Sequence, residues 1–342
     1  MNLETIRATN SDEEEWDLIV KTSPHGTFFH TWKVLRLIER YSNTILYPLI
    51  VRRENENIGC FPFFLYRKTG FKMLLSPPPH IAVPRLGPII SRYEQMTQKK
   101  RESALRDFSN SIEEWIQKEV DPGYISFITG DLEDSRYFLW KGYSIEPIFN
   151  YTFDISLPVG EVWNRIRSTT RGNIRRAQKQ GLVVRERGRD ALVDLVNIMA
   201  RRYEAQGLRM KVPLEFFTSL FEVSHPDRLK IFTVELQDEL VTGNIEVYHN
   251  RTALSWVGAA KTMKNANDLL TWECIRYASE KGYSVYKIMG AAGTERLHSY
   301  YAQFNPELYI SFSAQKFHSI VLWMLMGVIT RYRIAKKIGE ML

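Results

Sequence analysis

The chain of 342 residues has only two cysteines, Cys60 and Cys274, far apart and in no C-x-x-C arrangement. That excludes a disulfide-stapled scaffold and a thiolate metal site, and it fits a reducing cytoplasm. Long apolar runs are also missing. A membrane span needs ~18–20 such residues, and the nearest stretch, residues 320–329 (IVLWMLMGVI), is too short. Residues 1–16 are polar and acidic, so no secretory signal is expected. There is no G-x-S-x-G and no H-E-x-x-H, which removes the familiar serine-hydrolase and zinc-protease signatures. Charge of one sign does not dominate: Lys+Arg 46 against Asp+Glu 39 gives +7, which permits an anionic partner without requiring one. A hydrophobic fraction of 44% and a charged fraction of 25% are ordinary globular values and exclude a disordered chain. The length suits two domains.

What is present is a repeated plan. Gly123-Tyr124 and Gly282-Tyr283 each open an apolar strand, followed by a glycine turn (Gly130, Gly290) and an aromatic-rich helix. A break at Gly142 or at Asn305-Pro306 then leads into a second strand. Upstream, residues 49–66 (LIVRRENENIGCFPFFLY) and 232–249 (FTVELQDELVTGNIEVYH) share a hairpin pattern, with Gly59 or Gly243 opening the return strand. Between these blocks each half carries an amphipathic helix, over 102–118 and 268–281. The first half is longer mainly through the proline-rich stretch 74–90 (LLSPPPHIAVPRLGPII). Proline lacks the N–H donor and fixes φ, so this stretch reads as a lid or binding loop. The matching block order predicts two copies of a mixed α/β unit, 1–150 and 151–316, with a junction near Tyr151. Residues 317–342, apolar and then basic, predict a terminal amphipathic helix. It either docks on the core or lies in a lipid interface.

The segment 161–180 (EVWNRIRSTTRGNIRRAQKQ) predicts one helix between Pro158 and Gly181, with Val162, Ile166, Thr170, Ile174 and Ala177 as its buried stripe. Arg167, Arg171, Arg175 and Lys179 recur every fourth residue and share one face. Glu186 is the sole acid between Arg165 and Arg189. Arginine's planar fork suits phosphate oxygens, so the row is a candidate phosphate grip; a solvated face is the plainer alternative.

Thr170–Gly181 (TRGNIRRAQKQG) resembles the R-x-N-I-R-x-A-x-x-x-G stretch of the FemAB-type branch of the GNAT acyltransferase superfamily. Trp256–Ala260 (WVGAA) and residues 267–283 are similar to that family's central strand and following helix. Phe28–Trp32 (FFHTW) and Leu86–Ile89 (LGPI) resemble its N-terminal signatures. The resemblance spans about 28–315 and implies an α/β fold of two tandem GNAT-like domains facing a cleft. It implies transfer of an acyl or aminoacyl group to an amine of a phosphate-bearing, small or lipid-linked acceptor such as a peptidoglycan or polysaccharide precursor. No tightly bound cofactor is implied; the donor is an aminoacyl-tRNA or an acyl-CoA. By the same analogy Arg171, Arg175 and Lys179 grip phosphate, with Lys33 as a second anchor from the first half. The expected place of action is the cytoplasm, and the inner face of the membrane is the alternative if 317–342 lies in lipid rather than docking on the core.

Two departures stand out. The turn 263–268 (MKNAND) has no glycine where an acetyl-CoA enzyme cradles pyrophosphate on backbone N–H groups, which disfavours coenzyme A held in the usual way. Lys287 stands where many relatives carry an aspartate. The chemistry itself needs a neutral amine, a polarised carbonyl and a proton acceptor, and no enzyme nucleophile. Backbone N–H groups around Gly258 are the candidate carbonyl contact, because glycine in a strand marks a bulge or close approach. Candidate proton acceptors are Glu246 and Tyr248 on the return strand, Glu273 on the helix and Tyr301 after the last glycine turn. Each also has a structural reading: Tyr301 as a core aromatic, Glu273 as a helix-surface residue. Two other functions stay open, an acetyl-CoA-dependent N-acetyltransferase and a non-catalytic tRNA or nucleic-acid binder. A binder interleaves stacking aromatics with its basic row, and none occurs between Trp163 and Tyr203.

Overall fold

The computed structural model describes residues 3–324 apart from 55, 69, 261–262, 264 and 289–294. The first half runs Leu3–Arg7 (β1), Glu13–Thr22 (α1), Trp32–Ser42 (α2), Ile45–Arg53 (β2), Glu56–Lys68 (β3) and Phe71–Ser76 (β4). It continues through Ile89–Ile90 (β5), Gln98–Glu119 (α3), Tyr124–Ile128 (β6), Arg136–Trp140 (α4) and Ser144–Asp154 (β7). The second half runs Val159–Arg165 (α5), Ser168–Lys179 (α6), Val183–Arg187 (β8), Arg189–Ala205 (α7), Leu214–Ser224 (α8) and Leu229–Leu236 (β9). Then come Glu239–His249 (β10), Thr252–Ala260 (β11), Ala266–Glu280 (α9), Val285–Ile288 (β12), Glu295–Tyr301 (α10) and Glu307–Phe317 (β13). The two hairpins read from the pattern are β2/β3 and β9/β10, and the two amphipathic helices are α3 and α9.

These strands make one sheet in the order β1-β2-β3-β4-β6-β13-β7-β12-β11-β10-β9-β8, with β5 paired to β3. Its two flanks mirror each other. On each, three antiparallel pairings lead to one parallel pair, β4/β6 or β11/β12. The last strand of each half is exchanged: β13 pairs with β6, and β7 with β12. The exchanged strands also pair with each other, Leu308 opposite Tyr151. Tyr151 therefore lies inside a strand that belongs to the other half's hydrogen-bond ladder.

Helices cover both faces, because strands buried on two sides need cover on two sides. On one face α1 and α2 share a single core with α7 and α8: Phe28, Phe29, Phe216 and Leu220 are buried together. Each such side chain contributes about 1.5–3 kcal/mol of burial, so this shared core holds the halves together. The other face carries two separate cores, one under α3 and one under α5, α6 and α9.

The proline-rich stretch runs across the carboxyl ends of β4 and β6. Ser76 Oγ lies 2.6 Å from both Pro62 O and Leu86 O, and His30 Nε2 is 3.2 Å from Gly87 O. A Cβ on Gly87 would sit 2.3 Å from Ile128 O, so only glycine fits there. This chain segment occupies the first half's counterpart of the gap between β11 and β12.

The single helix expected over 161–180 is two. Ile166 and Arg167 are extended, with ψ of 139° and 141°. Arg167 N donates to Gln303 O at 3.3 Å, a partner that a continuous helix could not offer. The freed carbonyls of Asn164 and Ile166 accept from Arg171 Nη1 at 2.8 and 3.0 Å. Ser168, Thr169 and Thr170, weak helix formers, follow the break. At the other end β13 reaches Phe317 and a helical turn covers 320–324, with Leu322 buried and Ile320, Val321, Trp323 and Met324 exposed. The remainder of the expected terminal helix, 325–342, lies outside the described residues. No helix among the described residues is long and apolar enough to cross a membrane.

Candidate active site

β10 and β11 lose register between Ile245 and Glu246: Ile245 faces Val257 but Glu246 faces Ser255, leaving Trp256 as an extra residue. Such a bulge re-aims side chains. Trp256 turns into the shared core against Phe29 and Phe217, and its Nε1 donates to Ala82 O. Two residues on, Gly258 leaves the strand bare where it faces Asn244; a Cβ there would lie 2.8 Å from Asn244 Oδ1.

Beside the bulge, a cleft of about 500 Å³ opens between β11, β12, α9 and α10. Asn244, Ser255, Cys274, Tyr286, Tyr300 and Tyr301 line it, with Gly258 on its wall. Beneath them sits Glu246, fully buried. Its Oε1 accepts from Tyr286 OH at 2.9 Å and from Asn244 Nδ2, whose other contact is Ser255 Oγ at 2.7 Å. Oε2 is buried and makes no hydrogen bond. Burial penalises the carboxylate, and the Tyr286 and Asn244 bonds only temper this, so the pKa is pushed up to about 7. Burial next to Glu246 and Cys274 also raises Tyr301, to about 12. At the α9 N-terminus Asp268 is buried and accepts from Asn173 Nδ2 at 2.8 Å.

Of the residues expected at a site, the fold brings Glu246, Gly258 and Tyr301 together here. Tyr248 is buried elsewhere, its ring against Tyr283 at 4.9 Å, and does not line the cleft. Glu273 is half-buried on α9, held by Arg276 at 2.5 Å, and does not line the cleft. Lys33 lines a separate hollow with Asp17, Asp227 and Arg228. Arg171 caps α5, Arg175 lies exposed over Trp163 with its guanidinium 5.7 Å from the ring, and Lys179 is exposed. None of the three lines the cleft. The arginines that do line it are Arg202, near the end of α7, and Arg296 in α10. Both are exposed, and neither forms an ion pair among the described residues. Sequence reasoning missed these two, together with Asn244, Ser255, Cys274 and Tyr286. Asn244 was within reach, since period-two alternation puts it on the face of Glu246. No group of three or more potential metal ligands occurs among the described residues.

Residues 164–300 match the model of the acetyltransferase (GNAT) domain family. No curated protein matches the sequence. Among solved structures, FemX is similar with a TM-score of 0.70 at 14% identity, over 94% of this chain and 99% of that one. L-PGS from Bacillus licheniformis is similar at 0.58 and 12% identity, over 94% and 96%. A tandem GNAT protein from the clavulanic acid biosynthesis pathway is similar at 0.54 and 9% identity, over 93% and 99%. The mirrored flanks of the sheet, the bulged strand beside a parallel pair and the matched domain agree: residues 164–300 match a GNAT domain, and the chain as a whole has the tandem fold seen in FemX.

Proposed function

We propose that the protein transfers an acyl or aminoacyl group to an amine of a phosphate-bearing acceptor, with the chemistry in the second-half cleft. The observation that carries this reading is Glu246, a buried carboxyl with a pKa near 7 under a cleft beside a strand bulge. A general base works best when its pKa lies near the working pH. The amine nitrogen attacks the acyl carbonyl, whose oxygen is met by backbone N–H groups near Gly258. The nitrogen–carbon bond forms as the ester or thioester bond to the donor breaks. The amine's proton passes to the Tyr286 oxygen while the Tyr286 hydroxyl proton moves to Glu246, 2.9 Å away. The departing alkoxide or thiolate is then reprotonated from Glu246 by the same route. Arg202 and Arg296 receive the acceptor's phosphate at the mouth. This assigns to them the role that sequence reasoning gave to Arg171, Arg175, Lys179 and Lys33.

An aminoacyl donor is favoured over acyl-CoA, because Asp268 puts a buried carboxyl in the first turn of α9. A pyrophosphate placed there would meet that group in place of bare N–H groups. The resemblance of residues 170–181 to the FemAB-type stretch supports an aminoacyl donor and a lipid-linked acceptor. Purified protein incubated with charged tRNA or acetyl-CoA and candidate amines, read by mass, tests this. An aminoacyl adduct that disappears in Glu246→Gln is expected. No adduct from either donor, or undiminished transfer by Glu246→Gln, would refute it.

A further inference from the structure

Successive side chains on a strand face opposite ways. On β12, Tyr286 lines the acyl-transfer cleft, and Lys287 enters a different space on the other side of the sheet. That space is a groove of about 1030 Å³ formed by both halves: the turn after α1, the start of α3, the segment after β6, the β10–β11 turn and the start of β12. On its floor Lys287 Nζ lies 2.6 Å from Asp131 Oδ1, and Arg85 Nη1 lies 3.0 Å from the same oxygen. Arg85 is 2% exposed and Lys287 12%. Two cations thus share one carboxylate, which leaves an excess positive charge away from bulk water, a costly arrangement unless an anion completes it.

Two buried nitrogen atoms at or behind this floor make no hydrogen bond, one of them on Arg85, which is otherwise held by Asp131 and the Tyr309 hydroxyl. Arg85 Nε makes no hydrogen bond, and His25, buried at 5% exposure in the wall of the groove, has Nδ1 unpartnered. Burial holds the His25 pKa down at about 4, so the ring is a neutral imidazole able to donate or accept. The rim does not supply the missing anion. Exposed Lys21 and Arg251 offset Glu94 and Glu133, while Asp134 is taken by Arg136 at 2.7 Å.

We propose that this groove binds a small molecule through an anionic carboxylate or phosphate group seated on Lys287, with His25 as the neighbouring hydrogen-bonding residue. The site goes beyond the acyl-transfer cleft and does not depend on it. The test uses the full chain labelled with ¹³C at histidine Cε1, titrated at pH 7 and constant ionic strength with sodium phosphate and, separately, sodium acetate. The His25 resonance is assigned by its loss in His25→Phe. A saturable shift with phosphate alone identifies a phosphate group, with acetate alone a carboxylate, and with both a general anion seat. Lys287→Met should weaken binding by about tenfold or more, while Lys287→Arg should retain it. Glu246→Gln should bind as the wild type does, which separates this site from the catalytic proposal. Absence of a saturable shift with either anion in the wild type, or equal binding by Lys287→Met, would overturn it.

Discussion

Replacing Glu246 by Gln keeps the shape of the side chain and the acceptor oxygen that Tyr286 and Asn244 address, but removes the titrating proton. The fold raises this carboxyl from 4.5 to about 7, chiefly by burial. The folded state therefore holds the proton more tightly than the unfolded chain does. The stability this contributes is complete below about 4.5 and is lost as the pH rises through about 7. At ~1.4 kcal/mol per pKa unit, the loss is on the order of 3 kcal/mol. Urea unfolding of wild type and Glu246→Gln at pH 5, 6.5 and 8 reads it directly. The variant pays a pH-independent offset for its amide, so the difference between the two proteins should move by on the order of 3 kcal/mol in the variant's favour across that window. Activity should move the opposite way. The wild-type rate should climb with pH through about 7 as the base ionises, and the variant should be slower by about 10²–10⁴. Parallel stability curves would show that the carboxyl is not held neutral by burial. A variant with a full rate would remove Glu246 from proton transfer.

Three further outcomes are expected. Gly258→Ala places a methyl 2.8 Å from Asn244 Oδ1, displacing the amide that holds Glu246; kcat should fall by about tenfold or more with a small change in Tm. Arg171→Ala should cost about 1–2 kcal/mol in urea unfolding, because the carbonyls at the end of α5 lose their donor. It should leave KM unchanged, and lost substrate affinity at unchanged stability would restore the phosphate role instead. Asp131→Asn strands Arg85 and Lys287 and should destabilise the fold by about 3–5 kcal/mol. Burial opposes ionisation of Asp131, but Arg85 and Lys287 outweigh it and hold its pKa near 2, below the ordinary 3.8. Its contribution is therefore present above 3.8 and lost as the pH falls through 2, an acid limb the variant should lack in a pH-unfolding series.

Within the site, the legible residues were those whose signal is local. Glu246 stands out as an acid within the apolar return strand β10, and Gly258 as a glycine in a strand. Arg202 and Arg296 were not legible, because 94 residues and several elements separate two side chains that only the fold brings to one cleft. The arginine row misled for a related reason. Spacing of four identifies a shared face but not what that face meets, and Arg171 meets the end of its own neighbouring helix.

The sequence by itself determined the elements and their repetition: the paired hairpins, the helices α3 and α9, and the order in which they recur. Those features rest on side-chain periodicity and turn chemistry within a dozen residues, which a linear reading contains. Only the tertiary structure decided the exchange of β7 and β13, the break at Ile166, the occlusion of the first half's gap by residues 86–87 and the pairing of Lys287 with Asp131. A strand's pattern fixes which side is buried, while its neighbour is chosen by the ladder and core that the whole chain completes.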